Sequence, residues 1–317
     1  MKRIFSTLAL LALAGGAFAQ VGDRPLRLIL PVSAGSGVDA ITRAASAALA
    51  RSFGQPVVIE NQPGAGGVTG TASVVKARPD GTTLGLVSNN HVINPSVYSK
   101  MPFDSIADIT PIAVLGATPF VLAVNPKVPA TTLAELVAFL KAKPGAYHYA
   151  SSGNGTILHL GGEMFAEEAG VELRHVPYKG TGQMITDLVG GQVELGIVAL
   201  PAVQGHLRSG SLRAIGLGSR KRTPAAPEIP TLAELGLANY ECEGWFAVIG
   251  PAKLPPAEVK RAHTAFVSAF EAPEVRDAMA KQGTVVSPLS PEETAAYFRS
   301  ELARFAKLVK KAGIRID

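Results

Sequence analysis

The chain has 317 residues, 47% of them hydrophobic and 17% charged, with a formal net charge of +5 and one cysteine. At this length it can bury enough surface to be stable without cross-links, and two domains fit better than one. The lone Cys242 excludes an intramolecular disulfide, and a mild charge with no basic block or basic–aromatic stripe argues against nucleic-acid binding.

In chain order, the first residues read as an export leader. Lys2 and Arg3 precede a mostly apolar run, Ile4 to Gly16, and Ala17-Phe18-Ala19 supplies the small residues a signal peptidase reads. The expectation is a signal peptide at 1–19, a mature chain from Gln20 and a periplasmic location. No cysteine follows the apolar run, so a lipoprotein anchor is excluded, and no later run is long enough to span a membrane.

Strand candidates then alternate with helical patterns. The strands are Leu26–Val32, Pro56–Glu60, Thr83–Ser88, Phe120–Val124, Tyr147–Ser151, Leu195–Leu200, Leu212–Gly218 and Phe246–Gly250. An Ala- and Leu-rich helix follows Ser33–Ala40 (SAGSGVDA). Leu133, Leu136, Val137 and Leu140 recur at helical spacing behind a Thr132/Glu135 capping box. Ser290, Pro291 and Glu293 open a last helix with the stripe Phe298, Leu302, Phe305 and Val309, ended by Gly313. Strands interleaved with helices imply an α/β protein with mainly parallel sheets. Pro111 to Pro126 and Tyr240 to Pro251 read as crossings between domains. They place a discontinuous first domain at 20–118 and 238–317 and a second at 119–237.

Four glycine-rich turns stand before helices: SAGSGVDA, PGAGGVTG from Pro63, SSGNGT from Ser151 and VPYKGTG from Val176. Such turns free backbone N–H groups at a helix N-terminus and aim them at one point. A hydrogen bond to a charged acceptor contributes roughly 1.5–3 kcal/mol. Three or four such donors reach micromolar affinity, about −8 kcal/mol, with no arginine or lysine. Gly35, Gly37, Ala40 and Glu60 also fit a dinucleotide fingerprint. However, Ser33 and Ala34 separate the first glycine from the strand, and no acid–base set for hydride transfer follows. There is no P-loop and no nucleophile elbow. His159 and Glu163, one helical turn apart, read as a pair rather than a metal site. Flanking carboxylates on Cys242 argue against a nucleophilic thiol.

PVSAGSGVDAITR, IENQPGAGGVTG, SSGNGTILHLGGEMF, VPYKGTGQMITDLVGGQVELGI, LRAIGLGSRKR and PEIPTLAELGL together resemble the Bug (TctC) family of periplasmic solute-binding proteins, the receptors of tripartite tricarboxylate transporters. The resemblance covers nearly the whole mature chain. It implies a two-lobed, type II Venus-flytrap fold, each lobe a mostly parallel sheet flanked by helices, and no catalytic activity. It implies a carboxylate held between a first loop (Ser33, Ala34, Gly35, Ser36 and Asp39) and a second (Ser151, Ser152, Gly153, Thr156 and His159). Ser88, Asn89 and His91, with Tyr178, Lys179 and Gly180, would line the rest of the cleft. Asp39 would order its loop, since a carboxylate facing a carboxylate repels.

The chain departs from the family at Val32 and Ser33, where an aromatic residue and a proline are usual, and at Ser36, where glycine is usual. The expected function is capture of a small carboxylate or related organic anion, by a monomer without cofactor or metal, for delivery to membrane permease subunits. Two alternatives stand beside it: a receptor for a sensor kinase, and a periplasmic serine hydrolase using Ser36 or Ser152.

Overall fold

The computed structural model describes residues 25–316, so the leader expected at 1–19 lies outside the described residues. The first half opens with strand β1 (Leu26–Leu30), helices α1 (Gly37–Ala44) and α2 (Ser46–Phe53), β2 (Val57–Asn61), α3 (Val68–Val75), β3 (Thr83–Ser88), α4 (Asn90–Val97) and the long β4 (Ile109–Val124). There follow α5 (Leu133–Lys141), β5 (Tyr147–Ser151), α6 (Ile157–Ala169), β6 (Leu173–Pro177), α7 (Thr181–Gly190), β7 (Leu195–Ala199), α8 (Leu200–Arg208) and β8 (Arg213–Leu217). β9 (Glu243–Pro251), α9 (Pro256–Glu271), α10 (Pro273–Lys281), β10 (Val285–Val286) and α11 (Pro291–Ala312) complete the chain.

The strands form two sheets that share β4, and the sheets repeat one topology. The first runs β2-β1-β3-β9-β4 and the second β6-β5-β7-β4-β8. In each, three neighbouring strands are parallel and a crossing strand runs against them: β9 in the first sheet, β4 in the second. The fifth strand, antiparallel to the crossing strand, restores the common direction. The fold is therefore α/β and two-lobed, with mostly co-directional sheets flanked by helices.

β4 carries the chain between lobes. Up to Pro119 it pairs with β9, and from Phe120 it pairs with β7. The sequence Ala117-Thr118-Pro119 marks a change of partner inside one continuous strand. The return passes alongside: Cys242 N–H donates to Gly218 O of the second lobe, and Glu243 already pairs with Pro119. β10 edges the first sheet, where its backbone lies so close to Gly116 that a Cβ there would meet Val285 O at 2.0 Å.

Packing follows the alternation of strand residues. Leu26, Leu28 and Leu30 enter a core with Ile41 and Leu49 of the first helices and Phe266 and Phe270 of α9. Ile29 and Val87 point to the other face, into a larger core that runs on through the second lobe. Both expected capping boxes form, at Thr132/Glu135 on α5 and Ser290/Glu293 on α11. The single Ala- and Leu-rich helix is two helices, meeting at Ala45. β6 and α4 were not among the elements expected from the sequence. β6 is an edge strand with no fully buried residue, and α4 carries Pro95 within it.

Candidate functional site

Strand ends and helix starts build the site. The loops after β1, β3, β5 and β6 lead into α1, α4, α6 and α7, and β7 runs directly into α8. A cavity of about 70 Å³ lies where these starts meet. Gly37 and Val38 open α1, Asn90 opens α4, Ile157 and Leu158 open α6, Thr181 opens α7 and Ala199 precedes α8; all line it. The crossing strands add Thr118, Phe120, Gly244, Trp245 and Phe246. Five helix N-termini from both lobes thus face one small space, with the partial positive charge each carries. None of the lining residues is Lys, Arg or His.

Some of the amides are already bonded within the protein, and two of those bonds cross the cleft. Thr181 N–H donates to Ser33 Oγ at 3.0 Å, and Ile157 N–H donates to Asn90 Oδ1 at 2.9 Å. A first-lobe side chain thus caps a second-lobe helix in each case. The amides of Gly37, Val38 and Leu158 have no acceptor among the described residues. Bare backbone makes this approach possible. A Cβ on Gly37 would stand 2.6 Å from Ala199 Cβ, one on Gly180 2.8 Å from Ser33, and one on Gly155 2.2 Å from Val97.

The expected site residues divide into three groups. Ser36, Ser88, Asn89 and Ser152 line the inner cavity. Ser33, Ser152, Gly153, Thr156, Tyr178, Lys179 and Gly180 line an adjoining outer groove of about 510 Å³, which includes the Gly64–Gly67 turn and has Lys179 as its one cationic side chain. Ala34, Gly35, Asp39, His91, Ser151 and His159 line neither.

Asp39 is 5% exposed and accepts from Gly35 N–H, Arg43 and Asn61. Burial pushes its carboxyl up, but the hydrogen bonds from Arg43, Gly35 and Asn61 outweigh it and leave it below the usual range. Its work is to order the loop. Ser36 caps α1 by accepting from Asp39 N–H at 3.2 Å. Ser151 is fully buried, and its hydroxyl lies 2.6 Å from His175 Nε2. His91 points away from the cleft, with Nε2 2.8 Å from Ser105 O. Glu60, the acidic member of the dinucleotide pattern, is paired with Arg27.

A serine nucleophile requires a base within reach of an accessible hydroxyl. Ser36 is occupied as a cap, and Ser152 Oγ meets only Thr156 Oγ1, at 3.3 Å. Two serines have an imidazole beside them among the described residues: Ser151, which is sealed from solvent, and Ser211, which lines neither the cavity nor the groove.

Residues 41–314 match the family described as Tripartite tricarboxylate transporter family receptor. The chain belongs to this family. Protein BugT of Bordetella pertussis is 33% identical over 323 residues, covering 100% of this chain and 99% of that protein. Among solved structures, R. palustris Rpa4515 with adipate is 32% identical with a TM-score of 0.89, covering 93% of this chain and 99% of that one. MatC from Rhodopseudomonas palustris with bound malate is 26% identical with a TM-score of 0.84, covering 90% and 99%. The family consists of periplasmic solute-binding receptors, not enzymes. Among the described residues no helix is long and apolar enough to cross a membrane.

Several lining residues of the receptor were not singled out from sequence: Asn90, Trp245, Thr181 and the first residues of α6. Asn90 carries a readable signal, since Ser88-Asn89-Asn90 ends a strand and opens a helix. Trp245 carries only its place at the second crossing.

Two predictions follow from this geometry. Gly37 has ordinary helical backbone, so Gly37→Ala should keep or slightly raise the melting temperature. Its new Cβ prevents the lobes from meeting at Ala199, so radius of gyration by small-angle scattering should increase; an unchanged radius refutes the close approach. The second concerns His91, whose pKa burial lowers to about 4. The unfolded chain binds this proton from about pH 6.5 downward and the folded chain does not. Stability should therefore fall between pH 6.5 and 4, by about 3 kcal/mol from this group. Urea denaturation of wild type and His91→Gln at both ends of that range checks it, with a flatter pH dependence expected in the variant.

Proposed function

We propose that this receptor captures a small carboxylate between its lobes and presents it to the permease of a tripartite tricarboxylate-type transporter. The observation that carries the reading is the convergence of first-turn amides from both lobes on a cavity without a cationic side chain. Gly37 and Val38 come from the first lobe and Leu158 from the second. A ligand favours closure only through contacts it makes better in the closed form, and an anion bonded to both sets of amides has that property. Each such bond contributes roughly 1.5–3 kcal/mol, enough together for micromolar binding after the cost of association. The adipate and malate complexes of related receptors support the ligand class.

The moving units on this reading are 20–118 with 238–317, and 119–237, hinged where β4 and β9 run side by side. The outer groove takes the rest of the ligand, between the Gly64–Gly67 turn and Tyr178–Gly180. Export through the 1–19 leader, and action as a monomer, belong to the same proposal. A sensor kinase as the downstream partner would use the same grip on the ligand.

Calorimetry of the mature chain against adipate, malate, other dicarboxylates, amino acids and aromatic acids is the direct test. Binding of at least one organic acid at micromolar affinity is expected. No binding across the panel, with no solute carried through purification, would falsify the reading. The sole tryptophan supplies a second measurement. Trp245 is 4% exposed, lines the cavity and donates from Nε1 to Glu301 at 3.0 Å. Its emission should change on binding, with a midpoint matching the calorimetric one.

A further inference from the structure

The side chains behind the second loop do not line the cleft, yet they form one connected cluster. His159 on α6 and His175 on β6 stack with ring centroids 3.8 Å apart and planes 9° apart. Tyr149 on β5 packs beside both, at 4.9 Å from His175 and 6.3 Å from His159. Glu163, one turn along α6, accepts from the Tyr149 hydroxyl and lies 3.7 Å from His159 Nε2. Each imidazole also holds part of the loop. His159 Nδ1 accepts the Gly155 N–H at 3.0 Å. His175 Nε2 meets Ser151 Oγ, which is itself 3.1 Å from both the N–H and the carbonyl oxygen of Gly153.

The loop relies on these bonds. Gly153 and Gly155 sit at φ +136° and +70°, and glycine has no intrinsic preference strong enough to hold such a shape alone. Because His159 Nδ1 accepts a hydrogen bond, the ring hydrogen of the neutral imidazole is on Nε2, facing Glu163. A further proton has one place to go, Nδ1, where it would meet the Gly155 N–H as a second donor. The groups that face the pair are Glu163 from α6 and the Tyr149 phenol from β5. Among the described residues no lysine or arginine is paired with Glu163. Two rings 3.8 Å apart do not readily both carry charge. Burial, with the neighbouring His159, pushes His175 down to about 4 and keeps it neutral.

We propose that His159 and His175 are positioning residues for the second loop, and that a proton on His159 Nδ1 releases Gly155 and loosens that loop. On the receptor reading, on which this rests, the grip on the anion weakens as the medium acidifies.

The test requires no ligand. In ¹H–¹⁵N spectra of the mature chain, titrated from about pH 7.5 downward, the Gly155 amide and the His159 ring nitrogens should shift with one shared midpoint. The protection factor of the Gly155 amide against exchange should fall about tenfold or more across it. In His159→Gln the Gly155 transition should disappear. Should that variant fail to fold, the wild-type titration alone decides. A Gly155 amide that keeps its shift and protection while His159 takes up its proton overturns the proposal. So does a His159 that stays neutral down to acid unfolding, or an unchanged Gly155 transition in the variant. Failure of the receptor reading would appear in calorimetry, as no acid bound, and would leave this titration as it is.

Discussion

Backbone amides at helix starts can grip an anion only if two lobes bring them within hydrogen-bond distance of the same point. On the proposed reading that constraint organises the molecule. It explains why glycine stands at three of the close approaches between lobes: Gly37 against Ala199, Gly180 against Ser33, Gly155 against Val97. A side chain at any of these places would hold the helix starts apart by more than a hydrogen bond tolerates. It explains the buried Asp39 as well. A carboxylate placed among helix starts would compete for the amides, and here it is turned back into its own loop by Arg43, Asn61 and Gly35.

The repeated sheet topology supplies the geometry. In each lobe the three parallel strands end on the side that faces the other lobe, and each leads into a helix. Sharing β4 between the sheets sets the two fans of helix starts opposite one another. Among the described residues the chain passes between the two sheets along β4 and again into β9, and these crossings lie side by side as paired strands. Trp245 and Phe246 carry the crossing directly into the cavity wall.

Much of this was legible in the sequence, and the reason is local. Apolar runs followed by Ser, Gly and Asn specify a strand end and a helix start through backbone chemistry alone. Thr83–Ser88 and Tyr147–Ser151 were accordingly read to the residue, and the loops after β1, β5 and β6 were read as anion cradles. What was not legible depends on partners distant in the chain. β6 lacks an apolar signature because it lies at an edge. Ser33 reads as a member of the first loop, and only the fold shows that it accepts from Thr181, 148 residues away. The family resemblance placed His159 and His91 in the cleft. Folding turns the first beneath its loop and the second toward Ser105. A helix reverses the direction of a side chain within two residues, so sequence neighbours of a loop need not share its surface.

The neutrality of the inner cavity has a further consequence for selectivity. An arginine attracts any anion over several ångströms, whereas amides act only on contact and in fixed directions. The walls contributed by Val32, Phe120, Leu158, Trp245 and Phe246 are apolar, and about 70 Å³ leaves little space for hydration. A second charge brought into that space would lose its water without gaining a partner. On the proposed reading, discrimination among acids that share the first carboxylate arises in the outer groove, lined by Tyr178, Lys179 and the Gly64–Gly67 turn. On the proposed reading the inner site sets the chemical class of the ligand, and the outer one selects within it.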